Sequence, residues 1–377
     1  MRRLFFVIVA LLAYGSFYPW HFSFWGPLWP AVVRVFHAWP PILTFGILKD
    51  MALNVVVYAP LGLTGYLSSA AGFRWARALW PIAFGFAFSL TVETLQSFIP
   101  GRDPSGMDLL CNTVGAAAGV GIAMGYESAI VTGLQRINRH ARRPTSALML
   151  LIILAGHYLM PLTSDAIRLF STYHQPVLLS QAWNWTDFLN AAVTWLLAGR
   201  FLEAVAGRRG ATLPVIGSLL AAAFLMRLLS PNLLFTWPIL AGSVLGVVCW
   251  RMTEGRRVDI GFAVLTFVWL VGDGLRPFTF TAQNQFDWIP FRGLMGSDWT
   301  GGVEALLNKA WMYGAAFWTW EHAGLSRART LAALLVVLCA IEYAQQQLPG
   351  RVSTMTDPAM GLIAAGLLWA VERKYGA

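Results

Sequence analysis

The sequence predicts an all-α, polytopic transmembrane bundle of about twelve helices, built from repeated four-helix modules with both termini on the cytoplasmic side. Three observations predict it. Hydrophobic residues make up 57% of the 377-residue chain and charged residues only 12%, outside the balance of a water-solvated globular domain. Apolar stretches of about 20 residues, the length that crosses a hydrocarbon core as helix, recur from one end of the chain to the other. Arginine and lysine gather in alternate connections.

Spans are expected at 4–22, 50–69, 78–98 and 107–126, then at 146–163, 187–206, 212–229, 235–250, 259–275, 302–320, 329–347 and 356–372. The first begins MRRLFFVIVALLAYGSFYPW, an apolar run with no small-residue cleavage site after it, and is expected to stay as a span. Between the fourth and fifth lies the basic run Arg136, Arg139, Arg142, Arg143. Arg2 and Arg3, Arg74 and Arg77, Arg208 and Arg209, Arg256 and Arg257, Arg327 and Arg329, and Arg373 and Lys374 fall on the same side as that run. The positive-inside rule assigns this side to the cytoplasm. The opposite connections carry Trp20, Phe22, Phe24, Trp25, Trp29, Trp39, Trp288, Phe291 and Trp299, residues suited to the outer interface. A net charge of +9 invites a nucleic-acid reading, but the arginines are dispersed over short loops, so no nucleic-acid partner is expected. Cys111, Cys249 and Cys339 have no metal-type spacing, and neither a metal nor another cofactor is expected.

Self-similarity organises the chain. Glu93-Thr-Leu-Gln96, Pro100-Gly101-Arg102 and Asp108 are matched at identical spacing by Glu342-Tyr-Ala-Gln345, Pro349-Gly350-Arg351 and Asp357. Upstream, Asp50 and Asn54 correspond to Glu304 and Asn308, and the segment ending at Phe22 to the one ending at Phe280. A third, eroded copy is expected in the middle: Leu189-Asn190 stands where Leu53-Asn54 and Leu307-Asn308 stand, and Gly242-x-x-x-Gly246 resembles Gly115-x-x-x-Gly119. The expected organisation is a first module at 1–128, a basic linker at 129–145, a degenerate middle module at 146–252 and a second motif-bearing module at 258–377.

Ionisable residues within membrane helices are costly and mark protein interiors or wet cavities. Asp50 with Asn54, Glu93 with Gln96, and Asp108 with Asn112 each share a helix face. The expected topology brings all of them to the outer end, beside Arg102, whose planar fork suits a phosphate or carboxylate. The second copy offers Glu304, Asn308, Glu342, Gln345, Arg351 and Asp357, with Asn112 replaced by Gly361 and Pro60 by Gly314.

The set Asp50-x-x-x-Asn54 with Pro60-Leu61-Gly62, Glu93-x-x-Gln96, Pro100-x-Arg102, Asp108-x-x-x-Asn112 and Gly115 resembles the VanZ-like membrane family, over residues 1–126 and, with the departures just named, 260–375. That family is named for a protein associated with low-level teicoplanin resistance. The resemblance implies a four-helix module in a bacterial inner membrane and a link to the cell envelope, and supplies no reaction. Three readings follow. In the preferred one, an outward-facing polar pocket binds or moves an anionic amphipathic or lipid-linked envelope molecule, or meets an envelope-assembly protein, amid membrane lipids. In the second, a membrane enzyme uses Glu93 as base, Asp108 as acid or metal ligand and Arg102 as clamp. In the third, these residues only hold helices together.

Overall fold

The structure is a computed structural model of the full chain. It describes the residues outside 18–21, 25, 41, 43, 70–71, 138–143, 160–182, 230–235, 254–257, 282–283, 296–298 and 373–377. Part of the aromatic loop after the first span, most of the 136–143 basic run, Arg256, Arg257, Arg373 and Lys374 therefore lie outside the described residues. Among the described residues there are helices and no strand; an isolated bridge joins Asp287 to Thr354. Contacts divide the chain into two units, 1–135 and 136–374.

The first unit holds α1 (Arg2–Phe17), α2 (Leu28–His37), α3 (Phe45–Ser68), α4 (Arg74–Gln96) and α5 (Gly106–Ile137). Each starts or stops for a local reason. Thr44 caps α3 by accepting from the Ile47 amide at 3.3 Å, and Ser105 caps α5 by accepting from the Asp108 amide at 3.1 Å. Tyr126, at φ −115° and ψ 17°, breaks α5 near the end of its apolar part. The core joins Phe5, Leu61 and Ala116 in one cluster and Tyr66, Ala78, Val120 and Ala123 in another. α3 and α5 cross with almost no gap: a Cβ at Gly115 would stand 2.4 Å from the Val55 carbonyl oxygen, and one at Gly119 would stand 1.9 Å from that of Ala59. At one end of this unit Glu127 accepts from the Arg77 guanidinium at 2.5 Å and from the Tyr66 hydroxyl at 3.0 Å, tying α3, α4 and α5.

The second unit holds α6 (Pro144–Leu159), α7 (Trp185–Gly210), α8 (Leu213–Leu229), α9 (Trp237–Thr253), α10 (Asp259–Gly274), α11 (Arg292–Met295), α12 (Trp299–His322), α13 (Arg327–Gln345) and α14 (Thr356–Val371). α12 is its axis, in contact with α6, α10, α13 and α14 and buried continuously from Ala310 to Trp320, with Leu150 packed against Gly314. Phe201 of α7 meets Trp311 and Trp318 edge-on, with ring centroids 5.4 and 4.9 Å apart. In the stretch expected as an eroded copy, Gly242 and Gly246 bring α9 against the Phe188 and Ala192 carbonyls of α7, the same kind of close crossing as Gly115 and Gly119 make. Asn190 accepts from the Trp269 indole at 2.7 Å, so its role there is to join helices.

Every expected span overlaps a helix. Two helices were not expected: α2, in what the sequence suggests is an aromatic loop, and the single turn α11. Among the described residues, five helices are long and apolar enough to cross a membrane by length and composition: Asp50–Ser68, Arg74–Gln96, Gly106–Ser128, Trp185–Gly207 and Arg327–Gln345. Four shorter apolar helices accompany them. The protein is an all-α membrane bundle.

Candidate functional site

In the first unit the start of α3, the end of α4 and the start of α5 converge at the end opposite the Arg77–Glu127 pair, and their polar residues line two cavities. The narrower, of about 310 Å³, is bounded by Asn54, Tyr58, Glu93, Gln96, Arg102, Asp103, Asp108 and Asn112 together with apolar residues of α1. The wider, of about 730 Å³, is bounded by Trp39, Asp50, Asn54, Arg102, Asp103 and Asp108. All seven polar residues singled out in this part of the sequence thus line one cavity or both, and Asn54, Arg102 and Asp108 line both.

Their bonds separate them into two groups. Glu93, 3% exposed, accepts at Oε2 from the Ser105 amide at 2.8 Å. This fastens the end of α4 to the cap of α5. Gln96 donates to the Ser16 carbonyl at 2.8 Å and fastens α4 to the end of α1. These residues hold the frame. Asn112 spends its amide on the Ser89 hydroxyl at 2.9 Å, leaving its Oδ1 buried without a hydrogen-bond partner. The Tyr58 hydroxyl, beside Ser89, is likewise buried and unpartnered. Buried polar atoms are nearly always satisfied, so two such atoms on one cavity wall mark a place where something polar belongs. Arg102 stands in the turn after α4, where Gly101 takes φ +79°, a conformation open to glycine. Its guanidinium makes no hydrogen bond or ion pair among the described residues. Asp108 lies beside Asn54 and Ser105 and has no ion-pair partner there.

The second unit builds the corresponding end from the same parts. Glu342, 2% exposed, accepts from the Thr354 amide at 2.7 Å, Gln345 donates to the Gly274 carbonyl at 2.9 Å, and Gly350 takes φ +73°. A cavity of about 360 Å³ is lined by Asp273, Asn308, Lys309, Tyr313, Glu342, Gln345, Arg351 and Asp357. Five of the six residues expected there line it. Glu304 is not among its lining residues.

Here the charged groups are engaged. Arg351 donates from its guanidinium to the Asp273 carbonyl at 2.6 Å and to the Arg276 carbonyl at 3.0 Å. Asp357 is ion-paired with Lys309 and lies beside the Tyr313 hydroxyl. Asn284 covers the turn, donating to the carbonyls of Leu348 and Arg351 at 2.8 and 3.0 Å. In place of Ser89 and Asn112 stand Leu338 and Gly361, and the leucine fills the space an Asn side chain would need: a Cβ at Gly361 would come 2.7 Å from Leu338.

Sequence reasoning missed Tyr58, Ser89, Lys309, Tyr313 and the wall supplied by α2. Lys309 carried the clearest signal, an ammonium inside an apolar helix. In α2, Leu28, Val32 and Phe36 stand at helical spacing, and Ala31 and Val35 are fully buried. Its end docks beside the site, where the Gly106 amide donates to the Ala38 carbonyl at 2.8 Å and Trp39 lines the wider cavity. Among the described residues no group of three His, Cys, Asp or Glu is arranged to hold a metal ion.

Residues 5–130, which hold both cavities of the first unit, match the family model described as VanZ/LLP1. No curated protein and no solved structure matches the chain significantly. The matched stretch covers α1 to α5 almost entire, with the Glu93 fastening, the Arg102 turn and the paired cavities inside it. Over that stretch the chain is similar to VanZ-like membrane proteins.

Proposed function

We propose that the first unit binds, and presents or moves, an anionic amphipathic molecule of the bacterial envelope. A lipid-linked precursor of a surface glycan or of the cell wall fits this description. The carrying observation is Arg102: an uncommitted guanidinium at the junction of two cavities, in a chain whose matching Arg351 is tied to backbone carbonyls. A planar fork with free donors is suited to a phosphate or carboxylate. Exposed Trp29, Trp39 and Phe24 at the same end suit the membrane interface, where the apolar part of such a ligand travels. In this reading the protein sits in the bacterial inner membrane with both termini cytoplasmic and the Arg102 end outward, following the arginine distribution.

A membrane enzyme is the second reading, and Glu93 and Asp108 sharing one cavity with Arg102 is the observation that favours it. Against it, one Glu93 oxygen is occupied by the Ser105 amide, and the matching Glu342 makes the same bond. Sensitivity of cells to teicoplanin and to envelope stress, measured for Arg102→Ala, Glu93→Gln and Asp108→Asn with membrane abundance followed in parallel, tests the proposal. Lost phenotype at normal abundance for Arg102→Ala supports it. Full phenotype in that variant overturns it, and loss of abundance in all variants returns the residues to the scaffold.

A further inference from the structure

The narrow cavity of the first unit has an unbalanced inventory. Three carboxylates, Glu93, Asp103 and Asp108, face one guanidinium, that of Arg102. The corresponding cavity of the second unit sets three carboxylates, Asp273, Glu342 and Asp357, against two cations, Lys309 and Arg351. The difference is one ammonium. Lys309 directly follows Asn308, so at the matching register the first unit has Val55 after Asn54. In the second unit the chain's own ammonium sits on Asp357; in the first, Asp108 at the matching position has no such partner.

The hydrogen-bonding inventory runs the same way. With one N–H given to Ser89, Asn112 keeps an unpartnered acceptor in its Oδ1. Ionised carboxylates offer only acceptors. The Tyr58 hydroxyl, 3% exposed, stands unpartnered beside them. A group with several donors and a positive charge matches the carboxylates and the Asn112 Oδ1, and a primary ammonium is such a group. In the second unit, where an ammonium is already present, Leu338 and Gly361 replace Ser89 and Asn112 and the unpartnered amide oxygen is gone.

We infer that the narrow cavity of the first unit takes a primary ammonium group against Asp108, the Asn112 Oδ1 and the Tyr58 hydroxyl, while an anionic group of the same molecule rests on Arg102 at the mouth. The ligand is then a zwitterionic headgroup of the aminoalkyl phosphate class. This rests on the reading of Arg102 as an anion site and names the chemistry that the rest of the cavity selects.

The test uses the full chain in detergent, with binding followed by native mass spectrometry and tryptophan fluorescence. The probes are dioleoyl phosphatidylethanolamine, its trimethylated counterpart dioleoyl phosphatidylcholine, dioleoyl phosphatidylglycerol and free O-phosphoethanolamine. Phosphatidylethanolamine is expected to bind about tenfold more tightly than phosphatidylcholine, because trimethylation removes every donor of the ammonium. Asp108→Asn is expected to erase that preference. Val55→Lys is expected to abolish binding by supplying the ammonium internally, and it adds a group rather than removing one, so it stands if Asp108→Asn fails to fold. Equal binding of the primary and trimethylated lipids, or unchanged binding in Val55→Lys, overturns the inference. Phosphatidylglycerol binding that Arg102→Ala removes, with no preference for the amine lipid, overturns it while leaving the anion site standing. Loss of Arg102 dependence for every probe overturns both. Competition by free O-phosphoethanolamine assigns the site to the headgroup alone, and its absence assigns it to the intact lipid, with the ammonium inference upheld in either case.

Discussion

The two units carry one polar framework and finish it differently. In both, a buried glutamate near the end of one helix accepts from the backbone amide at the start of the next, a glutamine three residues on donates to the end of an earlier helix, and a Pro-Gly-Arg turn follows. In the second unit the remaining charges are closed on one another: Asp357 with Lys309, Arg351 with carbonyls, Asn284 over the turn. In the first, Arg102, Asp108, Tyr58 and Asn112 Oδ1 are left open to the cavities. Glu93 with Glu342 and Gln96 with Gln345 recur and do the same structural work, whereas Arg102 and Asp108 recur as Arg351 and Asp357 with different partners. Recurrence therefore does not by itself separate frame from site; what each recurring side chain is bonded to does.

The sharpest way to break this comparison is to remove the glutamates. Glu93→Ala and Glu342→Ala each abolish a charge-assisted bond and strand a buried amide, so each is expected to cost about 3 kcal/mol, measured as thermal unfolding in detergent. A large loss at one position with none at the other breaks the claim of a shared frame. Next in size is Lys309→Met, which strips Asp357 of its ion-pair partner. Because the lysine is 33% exposed, the expected loss is discounted from that of a fully buried pair to about 2 kcal/mol. Asp108→Asn, with no such partner to lose, is expected to change unfolding by less than about 0.5 kcal/mol.

Arg351→Ala is expected to destabilise by about 1 kcal/mol through its two carbonyl bonds, and Arg102→Ala to leave unfolding unchanged. A destabilising Arg102→Ala would assign that side chain to the scaffold and sink the distinction between the two arginines. The smallest effect is a coupling. Ser89→Leu and Asn112→Gly are each expected to destabilise, and the double variant to recover about 1 kcal/mol of the summed loss, because the leucine fills the space the asparagine vacates, as Leu338 does beside Gly361.

Much of the fold was legible because the bilayer makes helix the only economical spanning state, so apolar runs translate directly into helices. α2 was not legible as an element, since ten residues are too short to span and its Trp29 matched an interfacial loop equally well. At the site, intramembrane charge led to Asp50, Glu93, Arg102 and Asp108, all of which line the cavities. That rule could not separate Glu93, bonded to a backbone amide, from Asp108, because the difference lies in the turn geometry that aims the Ser105 backbone amide at the Glu93 carboxylate. Glu304 illustrates the converse: spaced like Asp50, it is absent from the cavity lining, because register along a helix does not determine which face a neighbouring helix covers. Tyr58 and Ser89 carry no charge and were invisible to that rule. They became visible once an unsatisfied hydroxyl could be located in a cavity wall.

The exchange of Ser89 and Asn112 for Leu338 and Gly361 has an evolutionary consequence. A single step from one pair toward the other passes through either two bulky side chains competing for one space or a void beside a stranded hydroxyl, and both intermediates fold poorly. Either replacement alone is therefore expected to be selected against, so the two positions are expected to change together.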